Sequence, residues 1–166
     1  WGKHTNYEES TRVPLIVANA GTPRGKVSQA PVNLIDIYPT LCEAVGIATP
    51  EGLDGKSLMP VLKNPTASIQ DYAASLYPHS GYYGVAIRTE RYRYVAWYRT
   101  KSSKEYHGVR FADEPEFTEL YDYKKDPDER KNLAGHPEYS AVEKRLARLN
   151  RDHIEFTQSK QFKTGQ

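Results

Sequence analysis

Two runs rich in tyrosine, valine and tryptophan, residues 83–88 and 91–99, are separated by only Thr89 and Glu90. Aromatic and β-branched residues favour strands, and so short a gap between two such runs predicts a β-hairpin. Side chains alternate along a strand, so the second run has two faces. One face carries Arg91, Arg93, Val95, Trp97 and Arg99, and the other carries Tyr92, Tyr94, Ala96 and Tyr98. We expect the tyrosine face to pack under a helix, and the chain to build an antiparallel sheet.

The residues that follow predict the rest of this sheet and its helix. Phe117–Asp122 has the composition of a third strand, and the cluster around Pro127 predicts a turn after it. Pro137 opens a helix with a narrow apolar stripe, which favours packing on a sheet. The stripe consists of Val142, Leu146, Leu149, His153 and Phe156. We therefore interpret residues 73–158 as a small antiparallel subdomain packed by a C-terminal helix, and residues 159–166 as a tail.

We assign no functional role to two polar segments of this second part. Residues 100–116 are interpreted as an exposed loop or a long extension of the hairpin. Residues 124–131 carry charges of both signs, which is typical of a solvated turn.

The first part of the chain has the pattern of an α/β domain. Residues 12–19 form a short, continuously apolar run, which predicts a strand buried on both faces. Apolar residues at helical spacing between Leu34 and Val45 predict a helix with Pro39 in its first turn. A Pro- and Gly-rich excursion follows, with one short helical turn expected at 57–62. We interpret residues 1–72 as the end of a larger α/β domain.

Composition excludes several classes of function. A formal net charge of +2 is too small for a surface that binds nucleic acid or an anionic membrane. The apolar runs are much shorter than the ~20 residues that span a bilayer, so we expect no membrane segment. Cys42 is the single cysteine, which rules out an intrachain disulfide and a cysteine zinc site. The chain begins at Trp1 without a leader, which indicates processing or truncation.

No complete hydrolytic motif is present. The sequence has no Gly-rich phosphate loop, no His-x-x-x-His pair and no Gly-x-Ser-x-Gly elbow. Lys3 follows a glycine and precedes a predicted strand, and such a lysine can project a compact cation toward an anionic ligand at a sheet edge. Taken alone, this pattern fits an ordinary surface lysine better.

The surrounding residues carry a resemblance to a known family. Residues 2–15, GKHTNYEESTRVPL, resemble the segment G-K-x-T/S-x-Y/F-E-x-x-x-R-x-P of type I sulfatases. Further landmarks occur in the order of that family, at 32–41, 53–58, 119–122, 126–129 and 132–134. Residues 75–79, 84–89 and 91–97 most resemble the iduronate-2-sulfatase branch.

This resemblance implies the C-terminal portion of an alkaline-phosphatase-like α/β fold. It implies that the full-length parent hydrolyses sulfate esters, with a uronic-acid-containing glycan as the expected sulfated carbohydrate substrate. Lys3 would be a catalytic cation that binds the sulfate. The parent would be exported to the periplasm, the cell exterior or the lysosome.

The resemblance also implies calcium and a formylglycine made from Cys or Ser in a C/S-x-P-x-R motif. Cys42 is followed by Glu43 and Ala44, so it does not lie in that motif. The motif and the metal ligands would lie upstream of Trp1. We therefore expect the 166-residue chain to hold no metal, to be inactive alone, and to have the missing N-terminal portion as its partner.

Four further residues are candidates for substrate binding. His79 lies beside Pro78, in a stretch that related enzymes bring to the rim of the pocket, although a loop histidine without such a role is as good an interpretation. Tyr77 is a candidate for contacting a sugar, and His4 stands next to Lys3. The guanidinium of Arg88 matches a substrate carboxylate, but a structural role in the sheet fits it better.

Two other functions remain open. Phosphate and phosphonate monoester hydrolases share the parent fold, so the anion could differ. The chain could instead be a non-catalytic lobe that binds sulfated glycans or a partner. An unpaired strand would expose an edge and apolar surface, so self-association of the isolated chain is expected.

Overall fold

The computed structural model describes residues 4–18, 21–99 and 114–161, with side chains up to residue 159. The chain forms two compact units. One unit contains the described residues up to Val13 together with those from Ala74 onward, and the other contains Pro14–Ala73. Residues 4–13 therefore belong with the sheet, whereas the sequence division at residue 72 grouped them with the first part. The reason is a set of buried polar contacts with the sheet, described below.

A four-stranded sheet in the order β1-β2-β3-β4 forms the centre of the first unit. Its strands are β1 Ala73–His79, β2 Tyr82–Arg88, β3 Tyr92–Arg99 and β4 Phe117–Asp122. β3 pairs antiparallel with β2 and with β4, so that Val95 lies opposite Ala86 and Glu119. The predicted hairpin is confirmed, and the third predicted strand is found with the same bounds. The described strands support the antiparallel subdomain expected from the sequence.

Helix α4, Ser140–Gln161, covers the tyrosine face of the sheet after a short 3-10 helix at Pro137–Tyr139. Among its described side chains, the buried ones are Leu146, Asn150 and Ile154, spaced by four. The Asn150 amide donates to the carbonyl oxygen of Val85 at 2.8 Å and accepts from the Tyr98 hydroxyl at 3.0 Å. Because these bonds satisfy a polar side chain, Asn150 can occupy the buried stripe.

The apolar stripe predicted for this helix is correct at Leu146 and wrong at its end. Phe156 is 49% exposed, whereas Ile154 is 4% exposed. The buried positions follow steps of four residues, Leu146, Asn150 and Ile154. Because Asn150 is polar, a search for apolar residues at helical spacing did not find this stripe.

The second unit contains a 3-10 helix at Leu34–Asp36, helix α2 at Ile37–Ala44 and helix α3 at Met59–Lys63. The short helix α1, Glu8–Thr11, belongs to the first unit. Pro39 lies in the first turn of α2 as predicted, and the short helical turn begins two residues later than expected.

The carboxylate of Asp36 organises the second unit. It is 1% exposed and accepts hydrogen bonds from the backbone N–H of Asn33 at 2.8 Å and of Lys56 at 2.9 Å. The side-chain amide of Gln70 donates to the same carboxylate at 3.2 Å. Three separate parts of the unit are thereby tied to the start of α2.

The strand predicted over residues 12–19 is not formed by its described residues, 12–18. These residues have no strand assignment and are exposed, with Ile16 91% and Val17 40% accessible. A buried strand needs a neighbour that completes its backbone hydrogen bonds. No described residue of this chain pairs with the segment, so the apolar run lies at the surface.

An exposed apolar face also runs along α2 and the turn that precedes it. Leu34, Tyr38, Leu41 and Val45 are 54–66% exposed and recur at helical spacing. Scattered exposed apolar residues are ordinary in soluble proteins, but a contiguous helix face indicates an interaction surface.

We call the exposed apolar residues at 13–17, together with the exposed face of α2, the exposed apolar surface. We expect the isolated 166-residue chain to self-associate through this surface. Sedimentation velocity over a range of concentrations measures this directly. Ile16→Asp places a charge in the exposed apolar run and should shift the distribution toward monomer. Val27→Asp adds the same charge at an exposed residue between Lys26 and Ser28 and serves as the control. A strictly monomeric parent chain, or an equal effect of both variants, would contradict the prediction.

Candidate functional site

The N-terminal segment, defined as residues 4–13, crosses the face of the sheet opposite α4. Its residues bond to Ser75 of β1, to the backbone carbonyl of Gly84 in β2, to Arg93 of β3 and to Glu119 of β4. The sheet therefore has a helix on one face and this segment on the other. The segment directly follows Lys3, the candidate sulfate-binding cation, which lies outside the residues that the structure describes.

Asn6 fixes the segment to the first two strands. It is 2% exposed, its amide donates to the carbonyl oxygen of Gly84 at 2.8 Å, and it accepts from the hydroxyl of Ser75 at 2.9 Å. A Cβ atom at Gly84 would lie 2.8 Å from the ring of Trp97 and 2.9 Å from the Asn6 amide nitrogen. Such distances are shorter than any stable contact, so the close approach of the segment to β2 requires glycine at this position.

Arg93, at the start of β3, holds the next part of the segment. Its side chain is 1% exposed, and Nη1 donates to the carbonyl oxygen of Asn6. Nη2 donates to Oε1 of Glu8 at 2.8 Å and to the hydroxyl of Thr11 at 3.1 Å. One guanidinium therefore binds a backbone carbonyl, a carboxylate and a hydroxyl of the same segment.

Glu129 completes this buried cluster from the turn that follows β4. Its carboxylate is 2.6 Å from Nε of Arg93, and it also accepts from the hydroxyl of Tyr123. Its other oxygen accepts from the backbone N–H of Glu8 at 2.8 Å. The Glu129 side chain is 4% exposed. The interpretation of residues 124–131 as a purely solvated turn is therefore wrong at Glu129, because the turn folds this carboxylate inward against Arg93.

Glu8 lies among three arginines. Its Oε1 accepts from Nε of Arg88 at 2.9 Å as well as from Arg93, and its Oε2 lies 3.5 Å from Nη1 of Arg12. Burial opposes ionisation of this carboxyl, but the hydrogen bond and charge of Arg88, with the charges of Arg93 and Arg12, outweigh it and lower the pKa of Glu8. Glu8 is thus held as an anion within the cluster.

Three of the predicted site residues come together at the other end of the segment. The rings of His4 and Tyr77 lie 6.4 Å apart between centroids, and those of Tyr77 and His79 are stacked at 6.0 Å. His4 and His79 are exposed, and Tyr77 is half-buried. We call these three residues the aromatic cluster. Tyr77 and His79 lie on the edge strand β1, and His4 follows Lys3 in the sequence.

Arg88 is not part of the aromatic cluster. It ends β2, and its guanidinium lies 3.8 Å above the ring of Tyr123 as well as pairing with Glu8. The turn at Ser80 and Gly81 that brings His79 near β2 joins the opposite end of that strand. Six residue steps along β2 separate Tyr82 from Arg88, a distance of about 20 Å.

The described residues offer no group of three or more His, Cys, Asp or Glu side chains that could hold a metal ion. Cys42 is buried in α2. No residue in the described ranges is therefore assigned to calcium or to formylglycine. Within the same ranges, no helix is long and apolar enough to cross a bilayer.

We predict that the attachment of the segment weakens in acid. Because the pKa of Glu8 is lower in the folded chain than in the unfolded chain, its stabilisation is complete above the unfolded value of about 4.3 and is lost as the pH falls through the folded value. Urea titrations between about pH 7 and pH 3 measure the free energy of unfolding.

The matched variants isolate this contribution. Glu8→Gln should flatten the loss of stability in acid, whereas Glu9→Gln, at an exposed neighbour, should leave the dependence unchanged. Identical pH profiles for the parent chain and Glu8→Gln would refute the prediction.

Two curated relatives align with most of the chain. An N-acetylglucosamine-6-O-sulfatase of Bacteroides thetaiotaomicron is 33% identical over 162 residues, which is 97% of this chain and 27% of the relative. A Delta 4,5-hexuronate-2-O-sulfatase of the same organism is 36% identical over 153 residues, covering 84% of this chain and 28% of the relative. The chain thus spans somewhat more than a quarter of the length of these sulfatases.

A solved structure also matches almost the whole of this chain and less than a third of its own length. The phosphonate monoester hydrolase of Silicibacter pomeroyi superposes with a TM-score of 0.68 at 27% identity, over 96% of this chain and 31% of the hydrolase. The match confirms the fold expected from the sequence, in which this chain is part of an alkaline-phosphatase-like hydrolase fold.

The family model described as N-sulphoglucosamine sulphohydrolase, C-terminal, matches residues 1–155. The match covers both units and the predicted lysine motif, and it confirms the resemblance to sulfatases that the sequence carries. The chain belongs to this family of sulfatase C-terminal domains.

Proposed function

We propose that the protein of which this chain is the C-terminal part hydrolyses sulfate esters, with Lys3 binding the sulfate. The observation that carries this proposal is the anchoring of residues 4–11 on the sheet through Asn6 and Glu8. Asn6 is three residues from Lys3, so the chain between them can span at most about 11 Å. The family and the sulfatase relatives support the same function.

In this proposal Lys3 acts as a fixed positive charge. An ammonium group placed in advance near the sulfate oxygens stabilises negative charge that develops in the transition state. The calcium ion and the formylglycine implied by the resemblance belong to the remainder of the parent protein. We also propose that the parent is exported, which fractionation of the source cells would test.

Lys3→Ala in the full-length enzyme should lower kcat/KM for a sulfate ester by about a hundredfold or more, because a lost charge contact in the transition state has an effect of that size. Steady-state kinetics with 4-nitrophenyl sulfate measure this. Activity within a few-fold of the parent would remove Lys3 from the site.

The same assay decides whether the enzyme prefers a sulfate ester or a phosphate or phosphonate ester. The phosphonate monoester hydrolase neighbour keeps the second candidate function open. A kcat/KM for a phosphate or phosphonate monoester that exceeds the value for the sulfate ester would favour that alternative over sulfate hydrolysis.

We propose a uronic-acid-containing glycan as the substrate, with the aromatic cluster as part of the rim that binds the sugar. The cluster contains two exposed imidazoles and a half-buried phenol ring, and its residue His4 follows Lys3 in the sequence. Aromatic rings suit such a rim because they combine apolar area with polar atoms. The hexuronate-2-O-sulfatase relative supports this substrate class. We leave Arg88 out of the rim, since Glu8 and Tyr123 already bind it.

Tyr77→Ala and His79→Ala should raise KM for a 2-O-sulfated unsaturated disaccharide about three- to tenfold, the effect of one aromatic contact. Their kinetics with 4-nitrophenyl sulfate should stay unchanged, because that ester lacks the sugar. Leu76→Ala is the control, since Leu76 is exposed and points to the other face of β1. Equal effects on both substrates, or no effect on the disaccharide, would exclude the cluster from sugar binding.

We propose that the exposed apolar surface docks on the remainder of the parent protein. The segment at 13–17 and the face of α2 are apolar and accessible, and the relatives are more than three times as long as the chain. Supplying the remaining polypeptide together with this chain should abolish its self-association and give a complex of one copy of each. Continued self-association in the presence of that polypeptide would contradict the proposal.

A further inference from the structure

We infer that Arg93 is a positioning residue for Lys3, acting through the N-terminal segment. This inference rests on the proposed role of Lys3. Arg93 lies at the start of β3 and binds three groups of the segment, which are the Asn6 carbonyl, the Glu8 carboxylate and the Thr11 hydroxyl.

The geometry of these contacts restrains backbone as well as side chains. The carbonyl of Asn6 is held by Arg93, and the N–H of Glu8 is held by Glu129 at 2.8 Å. Both backbone groups lie within five residues of Lys3. Because Asn6 is also bonded to Gly84 and Ser75, the chain from Asn6 to Glu8, which begins three residues after Lys3, is held on the sheet at several points.

Electrostatics favour this role over a purely stabilising one. Arg93 and Glu129 are charged and almost fully removed from water, and the Glu8 side chain that pairs with Arg93 is 17% exposed. A buried ion cluster contributes little net stability compared with apolar residues of the same volume, but it admits only the arrangement in which every charge is paired. It therefore suits a site where the position of one segment has to be specified, as preorganised catalysis requires.

Arg93 has the geometry that such a restraint needs, and lysine does not. The guanidinium presents N–H groups in a planar fork, so it can bind the segment through Nη1 and Nη2 while Nε faces Glu129. Lysine keeps the charge but cannot reproduce this pattern. Arg93→Lys therefore removes the directional restraint while retaining the cation in the cluster.

A double-mutant cycle in the full-length enzyme separates positioning from stability. We measure kcat and KM with 4-nitrophenyl sulfate, and the affinity for inorganic sulfate by calorimetry, for Arg93→Lys, Lys3→Ala and the double variant. Arg93→Lys should lower kcat and weaken sulfate binding by about ten- to a hundredfold in the parent, the effect of a misplaced group. In the Lys3→Ala background the same substitution should have almost no further effect, because the group that it positions is gone.

Two further variants complete the test. Glu8→Gln keeps the shape of the side chain and carries the cycle if thermal melts show that Arg93→Lys is unfolded. Arg99→Lys changes an exposed arginine of the same strand, paired with Glu116, and should alter neither kinetics nor sulfate affinity.

Additive effects of Arg93→Lys and Lys3→Ala would overturn the positioning role, because they would place the two residues in independent functions. Wild-type activity and sulfate affinity in Lys3→Ala alone would instead overturn the proposed role of Lys3, and the positioning role with it. The two failures are therefore distinguishable.

Discussion

The buried guanidinium of Arg93 is the constraint on which the N-terminal segment depends. Its partners come from distant parts of the sequence, Glu8 before the sheet and Glu129 after β4. Removing one partner of a buried ion pair leaves an uncompensated charge and costs about 3–5 kcal/mol. The segment, the strand and the turn can therefore satisfy their charges only together, and the cluster specifies one arrangement of the three.

The two faces of the sheet have different tasks. On one face α4 contributes apolar burial through Leu146 and Ile154, with Asn150 bonded to Tyr98 and β2. On the other face the contacts with the segment are largely polar and directional. The first face stabilises the sheet, and the second uses that rigid support to hold the residues that follow Lys3. This division explains why a small C-terminal sheet accompanies a catalytic domain in the function that we propose.

The sequence predicted the elements whose signals are local. The hairpin, β4 and the short helix that begins at Met59 follow from local composition and turn residues at short spacing. The cluster around Arg93 could not be predicted in this way, because its members are up to 121 residues apart, as in the bond from Glu8 to Glu129. The alternation of the strand placed Arg93 on one face with Arg91 and Arg99, and nothing in that pattern distinguished the buried arginine from the two exposed ones. The family motif located the segment but not the partners that hold it.

The strand prediction at 12–19 failed for a related reason. An apolar run predicts a buried strand only where a neighbouring strand completes its hydrogen bonds, and no described residue pairs with this run. Conversely, Asn150 and Glu129 are polar residues that the fold buries, and only their hydrogen-bond partners make that burial favourable. Local pattern thus located the elements, and the buried polar contacts decided how the segment and the sheet combine.

Hydrogen exchange of the backbone amides of residues 8–12 tests the central claim most directly, that the segment is fixed on the sheet. The amides of Glu8, Ser10, Thr11 and Arg12 all donate hydrogen bonds within the fixed segment or to Glu129. The account predicts protection close to that of β3, and its loss in Glu129→Gln. Exchange as fast as that of the exposed residues 15–18, in the parent chain, would contradict it.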